Sequence, residues 1–309
     1  MNEKIFPAVA SQKAATIADW RKSDCLLIAN NSMLSAMSKS KPSLLQSLDA
    51  QPLFHVLVRW LRLRQLAGWW LRVSPRVRRL PGSGACYRCR YLETILLADE
   101  IFNRNVYLKA IDPATTSTFV DLGCNVGLFP VLLHEITRRK DLCGLLIDAN
   151  PDMVEEAAWH IRANQLDKVT PVLGLAGSAS AGQTVDFYLL PSNLGSSQFP
   201  VYEPGKPQKG AWQKITVPCV DIEALWVKRF GDVRCNVLKM DIEGSEKSFL
   251  ETDQKFLRRV DMIILEWHKW IVSRDAVEKM LNEQKFELVE VLEELEQTGI
   301  AWYRKSKSS

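Results

Sequence analysis

The chain has 309 residues, 47% hydrophobic and 25% charged, with a net charge of +4; this is the balance of a water-soluble globular protein and excludes a low-complexity or fibrous chain. No run of about eighteen uncharged apolar residues offers a spanning helix, and the opening MNEKIFPAVASQKAATIADW lacks the apolar core of a secretory signal, so a cytoplasmic protein is expected, at most peripheral to the inner membrane face. The seven cysteines are odd in number and scattered through apolar runs, which reads as buried free thiols in a reducing compartment.

Residues 1–50, rich in Ser, Ala and Lys with weak periodicity, are expected to form short helices or a loose arm and suggest no function. Residues 53–73, LFHVLVRWLRLRQLAGWWLRV, predict a helix. In it Arg59, Arg62, Gln65 and Arg72 share one face, while Leu57, Trp60, Leu61, Leu63, Trp70 and Leu71 make a wide apolar surface. Trp with Arg on one helix is the composition of a segment lying at a membrane interface. The alternative is a helix packed on the main domain, its arginines reaching out to water. SPRVRRLPGSG (74–84) breaks the helix at Pro75, Pro81 and two glycines, and its arginines either clamp an anionic group or form a solvated linker. Between 50 and 92 there are nine arginines and no acid, so the rest of the chain is net negative. That asymmetry points to a local anionic substrate or surface met by Arg72, Arg76, Arg78 and Arg79. Cys86-x-x-Cys89 has no second ligand pair nearby, which argues against zinc. Residues 1–90 therefore read as a helical, Arg-rich extension, with a second domain over 91–309.

YLETILLADEIFNRNVY (91–107) predicts an amphipathic helix covering the cofactor edge of a sheet. The stretch TFVDLGCNVG (118–127) then organises the domain: a buried strand, a tight glycine turn and the start of a helix. Glycine permits positive φ and a close approach to the backbone, and such units bind nucleotides at the carboxyl end of a parallel sheet. The spacing Gly123, Asn125, Gly127 is not the dinucleotide G-x-G-x-x-G, and the Gly-Lys-Ser/Thr of a Walker loop is missing. Asp121 stands where the D-x-G-x-G pattern of S-adenosylmethionine (SAM) enzymes has its acid, suited to a ligand bearing an ammonium. Strand and helix alternate from here, implying a parallel sheet: strand 118–122, helix 126–138, strand 143–148, helix 151–164 and strand 169–174. Asp148, one βα unit on, is placed for a ribose diol, or for capping the helix after Asn150-Pro151. GLAGSASAG (174–182) lies beside the expected adenine pocket. After a strand at 184–190, the Ser-, Gly- and Pro-rich loop 191–210 offers Ser196 and Ser197 to a substrate. A strand at 214–220 and a helix at 221–230 follow.

Strand 234–240 delivers NVLKMDIEGSE. Alternation puts Lys239, Asp241 and Glu243 on one side, and charge at a strand mouth is costly unless paired or used; Glu246 also reads as a helix cap. Strand 260–266 ends in Glu266-Trp267-His268, a third charged strand mouth. Helix 273–284 and strands 286–292 and 300–304 complete the chain, joined by an acidic turn, Glu290 to Glu296.

VDLGCNVG (120–127), IDANP (147–151), VPCVDIEAL (217–225), VLKMDIEGSE (237–246) and IILEWH (263–268) together resemble, in order and spacing, the FkbM-type methyltransferase family over roughly residues 90–305. The resemblance implies the α/β fold of a Rossmann-like class I methyltransferase: a seven-stranded, mostly parallel sheet with an antiparallel last strand. It implies SAM-dependent O-methylation of a hydroxyl on a sugar, glycan or secondary metabolite. It assigns SAM to Asp121, Gly123, Asn125, Gly127 and Asp148, with Asn150 beside it, and marks Lys239, Asp241, Glu243 and Glu266-x-His268 as the charged active-site edge. The chain departs from the family at Asp148, where Glu is usual. In the expected mechanism Asp241 or Glu243 lies near the sulfonium and acceptor, His268 is the base because imidazole titrates near neutrality, and Lys239 stabilises oxyanion charge. A divalent ion on Asp241, Glu243 and His268 is a weaker expectation. Asp241-Ile-Glu-Gly stands where base-directed enzymes carry Asn/Asp-Pro-Pro-Tyr, which disfavours a nucleic-acid acceptor. A non-catalytic module acting through residues 53–90 is the other alternative.

Overall fold

A computed structural model describes residues 63–177, 182–190, 196–197, 201–203, 206–207 and 213–306; the predicted arm and the first ten residues of the predicted helix 53–73 lie outside them. Numbered in chain order, the elements open with helix α1 (Leu63–Val73), strands β1 (Arg76–Arg79) and β2 (Cys86–Cys89), and helix α2 (Leu92–Ala98). The alternating part runs β3 (Thr118–Leu122), α3 (Phe129–Thr137), β4 (Cys143–Asp148), α4 (Pro151–Ala163), β5 (Val169–Leu173) and β6 (Thr184–Leu189). Two short strands, β7 (Val201–Glu203) and β8 (Lys206–Pro207), lead to β9 (Gln213–Pro218), α5 (Ile222–Phe230), β10 (Cys235–Met240), α6 (Glu246–Thr252), α7 (Gln254–Leu257) and β11 (Val260–His268). Helix α8 (Arg274–Glu283) and strands β12 (Phe286–Glu294) and β13 (Thr298–Lys305) close the fold.

Seven strands form one sheet in the order β12-β13-β11-β10-β3-β4-β5. The pairs from β11 to β5 are parallel, and β13 runs against both β11 and β12. This is the seven-stranded sheet with an antiparallel last strand that the motifs imply. All five residues of β3 are buried, as a central parallel strand covered on both faces requires. Alternation sends Phe119 into one apolar layer with Phe129 and Leu133, and Val120 and Leu122 into the other with Trp226, Phe249 and Phe256. Residues that differ by two along β3 thus fix both faces of the sheet. The reversal of strand order beside β3 opens the crevice where a ligand can sit.

Two segments fold differently from the sequence expectation. SPRVRRLPGSG is not a linker: β1 and β2 pair antiparallel, Arg76 opposite Cys89 and Arg79 opposite Cys86. Cys86 and Cys89 stand three apart on a strand and so face opposite ways; both are buried free thiols. The predicted helix 91–107 is broken. After α2 the chain widens into a π turn over Asp99–Asn103, and Asn105 takes a positive φ of 56°.

The β1–β2 hairpin is bolted to α4. Arg88 grips the fully buried Glu156 through two hydrogen bonds of 2.6 Å. Asn164 accepts from the Cys86 N–H and donates to the Cys86 carbonyl, both at 2.7 Å. His160 accepts the Arg88 backbone N–H at 2.9 Å and, through Nδ1 at 2.7 Å, donates to the carbonyl of Val126 in the glycine turn. Burial pushes the His160 imidazole down to about 4, so it is neutral and its tautomer is set by these two partners.

Candidate active site at the strand mouths

Three turns meet at the carboxyl ends of β3, β4 and β10. In the first, Gly123 has φ +68° and a Cβ there would lie 1.7 Å from the carbonyl oxygen of Asp241. Gly127 has φ +74°, and its Cβ would meet that of Ala157 on α4 at 2.7 Å. The glycines are thus required by the close approach of neighbouring chain as well as by their own conformation. Asn125 holds φ +49°. Its N–H donates to Asp148 Oδ2 at 2.7 Å, and the Asn150 N–H donates to Asp148 Oδ1 at 2.8 Å. Burial pushes the Asp148 carboxyl up to about 6, and these two N–H groups pull the other way. Each Asp148 oxygen keeps one acceptor lone pair. Asn150 itself caps α4, accepting from the Asp152 N–H at 3.0 Å.

Asp148 stands at the rim of a cleft whose walls are Ile147, Ala149, Met153, Leu175, Ala176 and Phe187. This largely apolar cleft, with Asp148 among its carboxylates, has the lining of a small-molecule site. The small-residue stretch after β5 contributes Gly174, Leu175 and Ala176, where it was expected; Ser196 lines the same cleft, while Ser197 donates to the Glu243 carbonyl at 2.6 Å. On the other side of Gly123 lies a cavity of about 360 Å³. Gly123, Asn125, Asp241 and Glu243 line both, so a ligand leaving the cleft emerges into the cavity at these residues. The segment 91–107 lines this second cavity, through Glu100, Ile101 and Tyr107.

Within the cavity, Lys239 Nζ lies 3.0 Å from Asp121 Oδ1, and both side chains are buried. Burial works against the Lys239 charge, but the Asp121 carboxylate outweighs it and holds the ammonium protonated. Asp121 Oδ2 is buried with no hydrogen-bond partner, an acceptor left open to a donor that a ligand would bring. Glu266 also faces the cavity; burial, then the negative charge of Asp241, pushes its carboxyl well above the usual range. Glu100 is raised for the same two reasons.

His268 is clamped between two carboxylates: Nδ1 to Glu246 Oε1 at 2.8 Å and Nε2 to Glu243 Oε2 at 3.1 Å. Burial would lower its pKa, but the hydrogen bonds to Glu243 and Glu246 override this and push it up to about 12. Both ring nitrogens are engaged by carboxylates in this geometry, and the raised pKa favours the imidazolium, which speaks against His268 as the base. Glu246 also accepts the Gly244 N–H at 3.0 Å, and Glu243 sits at φ +47°. Ligand atoms of Asp241, Glu243 and His268 lie within 4.8 Å of one another. Nε2, the atom His268 would offer a metal, donates instead to Glu243.

Of the expected residues, the structure brings Asp121, Gly123, Asn125, Asp148, Asn150, Lys239, Asp241, Glu243 and His268 to the two adjoining cavities; Gly127 shapes the turn from behind. Sequence reasoning missed Glu100, Tyr107, Trp270 and Glu293, which line the larger cavity. Glu100 looks like the solvated side of an amphipathic helix, and only the π turn carries it inward.

The Methyltransferase FkbM domain matches residues 121–299. No curated protein matches significantly. Solved structures similar to this chain include M. capricolum TrmK in complex with S-adenosyl-homocysteine, at a TM-score of 0.42 and 11% identity, covering 67% of this chain and 69% of that one. Others are a SAM dependent methyltransferase from Aquifex aeolicus, at 0.39 and 13%, covering 67% and 91%, and StiE O-MT residues 961–1257, at 0.42 and 10%, covering 70% and 77%.

Proposed function

The chain belongs to the FkbM methyltransferase family, and from that premise we propose that it moves a methyl group from SAM to a hydroxyl oxygen of a sugar, glycan or other small-molecule acceptor. The observation that carries this reading is the junction at Gly123 and Asp241. There a largely apolar cleft bearing Asp148 opens into a separate acidic cavity of about 360 Å³ that could take a second molecule.

SAM fits the donors and acceptors present, and when bound it supplies an electrophilic methyl group on a cationic sulfur. Asp148 would accept the ribose hydroxyls through its two remaining lone pairs, with the adenine against Ala149, Met153 and Phe187. The open Oδ2 of Asp121 would take a proton donor of the amino-acid end; burial raises the Asp121 carboxyl, and Lys239 opposes that rise and holds the side chain in place. Asp241, at the junction, would face both the positive sulfur and the acceptor. A hydroxyl becomes a good nucleophile only as its proton leaves. Asp241 is the carboxylate placed to receive that proton, while Glu266 retains its own and can donate a hydrogen bond to the acceptor. His268, as a cation, would fix Glu243 and Glu246 and so the shape of the cavity wall. Holding the two reactants in line across Gly123 supplies the remaining rate.

The test begins with calorimetric titration of SAM into the protein; a folded protein that does not bind SAM sinks the reading. Transfer of tritiated methyl groups into a fractionated lysate then identifies the acceptor class. On that acceptor Asp241→Asn should lower kcat by about a hundredfold or more while SAM still binds. Unchanged turnover would remove Asp241 from proton transfer, and radioactivity confined to nucleic acid would replace the hydroxyl acceptor.

A further inference from the structure

The helix α1 is amphipathic in an unusual sense: its apolar stripe faces away from the protein. Leu66, Trp69, Trp70 and Val73 recur at i, i+3, i+4 and i+7, the spacing of one helix face, and are 58%, 63%, 43% and 65% exposed. Val77 on the neighbouring β1 is also exposed, at 52%. The opposite side supplies the buried Leu71 and rests on α2. Five of the eleven large hydrophobic side chains exposed among the described residues thus fall within twelve positions, too concentrated for the scattered exposure normal on a protein surface.

The rim of this patch is cationic. Arg72, Arg76, Arg78 and Arg79 are all exposed, and no acidic residue occurs between 50 and 92. The Arg76 guanidinium stacks 4.3 Å over the Trp70 ring, which holds an aromatic and a cation side by side. A protein partner would normally meet such a face with mixed charge. A surface that is apolar and indole-rich at its centre and bordered by Arg72, Arg76, Arg78 and Arg79 is complementary to an anionic lipid bilayer. There Trp settles at the headgroup level and Arg pairs with phosphate. Among the described residues no helix is long and apolar enough to cross a membrane, so the complement is to the surface of a bilayer. We propose that α1 and β1 seat this protein on an anionic membrane surface, with Leu66, Trp69, Trp70 and Val73 in the headgroup region and the neighbouring arginines on lipid phosphates.

Helix α2, on which α1 rests, also gives Leu96 and Leu97 to the wall of the larger cavity. The seat therefore adjoins the acceptor side of the molecule. The proposal does not depend on the methyl-transfer reading, because it is measured as vesicle binding.

The experiment is co-sedimentation of the full chain with phosphatidylcholine vesicles and with vesicles containing phosphatidylglycerol, at low and high salt. Two variants are compared: Trp69→Ser/Val73→Ser, and Arg76→Ala/Arg78→Ala/Arg79→Ala. All five positions are exposed, so both variants should fold, which their thermal melts verify. Binding is expected only to the anionic vesicles, falling at least tenfold in either variant and, for the wild type, in high salt. Absence of wild-type binding, or equal binding by wild type and both variants, overturns the proposal. So does a dimer in solution that Trp69→Ser/Val73→Ser dissociates without any vesicle binding, since the face would then belong to a second copy. Binding competed away by inorganic phosphate and insensitive to Trp69→Ser/Val73→Ser would assign the arginines to a soluble anion and reject the membrane.

Discussion

Asp148 keeps two backbone N–H groups at 2.7 and 2.8 Å and still turns toward the cleft. Its carboxyl rises from an ordinary 3.8 to about 6 through burial, and the sign of the consequence differs between folding and binding. The folded state holds the Asp148 proton more tightly than the unfolded chain. This group therefore favours folding most below 3.8, and that contribution fades as pH rises through 6. A ribose diol needs the ionised carboxylate, so SAM affinity should fall as pH drops through about 6. Titration calorimetry at pH 5 and pH 7.5 measures this, and Asp148→Asn should weaken binding and flatten the pH dependence. At Gly123 both the positive φ and the 1.7 Å approach to Asp241 oppose any side chain. Gly123→Ala should cost at least about 2 kcal/mol of stability, read by denaturant unfolding. At this scale the sequence motifs locate positions that the fold gathers at the strand mouths, because Asp121, Gly123 and Asp148 lie at strand ends that the apolar runs make plain. They miss the state of His268, because its partner Glu246 lies 22 residues away along the chain and only the fold joins them.

The elements were legible wherever apolar runs and breakers agreed. Strands 118–122 and 143–148 match their predicted limits, and α4 ends one residue short of its prediction. The hairpin was not legible. Its first strand, Arg-Val-Arg-Arg, has no buried side and shows no apolar alternation, and Pro81-Gly82 is read as a break when it serves as a turn. What holds the hairpin is a polar seat on α4, and that seat is testable. Replacing Arg88 with Met leaves Glu156 buried with only the more distant Arg90, 3.7 Å away, and should destabilise the protein by about 3 kcal/mol. His160 adds a pH signature. Its folded value of about 4 lies below the ordinary 6.5, so its contribution is complete above 6.5 and is lost as pH falls toward 4. Because Asp148 works in the opposite direction over this range, the loss is read by difference: urea midpoints of the wild type and His160→Gln, each at pH 7.5 and pH 5, should show the wild type losing more on acidification.

Across the whole molecule, charge is segregated: an acidic cavity lies at the strand mouths and a cationic, indole-bearing surface on the N-terminal elements. Net charge alone conceals this, since a net +4 combines nine arginines between 50 and 92 with a net negative remainder. The mostly parallel seven-stranded sheet with its antiparallel last strand was legible from the motifs; the order of its strands was not. The direction of the apolar stripe on α1 was not, because periodicity shows that a helix has two sides but not which of them meets the body. Composition changes near residue 90, yet the contacts do not respect that seam. Arg88 reaches His160, and His160 reaches Val126 in the turn that shapes the cleft. A fragment trimmed to begin at residue 91 should therefore lose its cooperative melt and its grip on SAM, whereas one that begins at Leu63 should retain both. Anyone paring this enzyme down to its smallest working piece would have to leave the hairpin attached, as a brace for a loop more than thirty residues further along the chain.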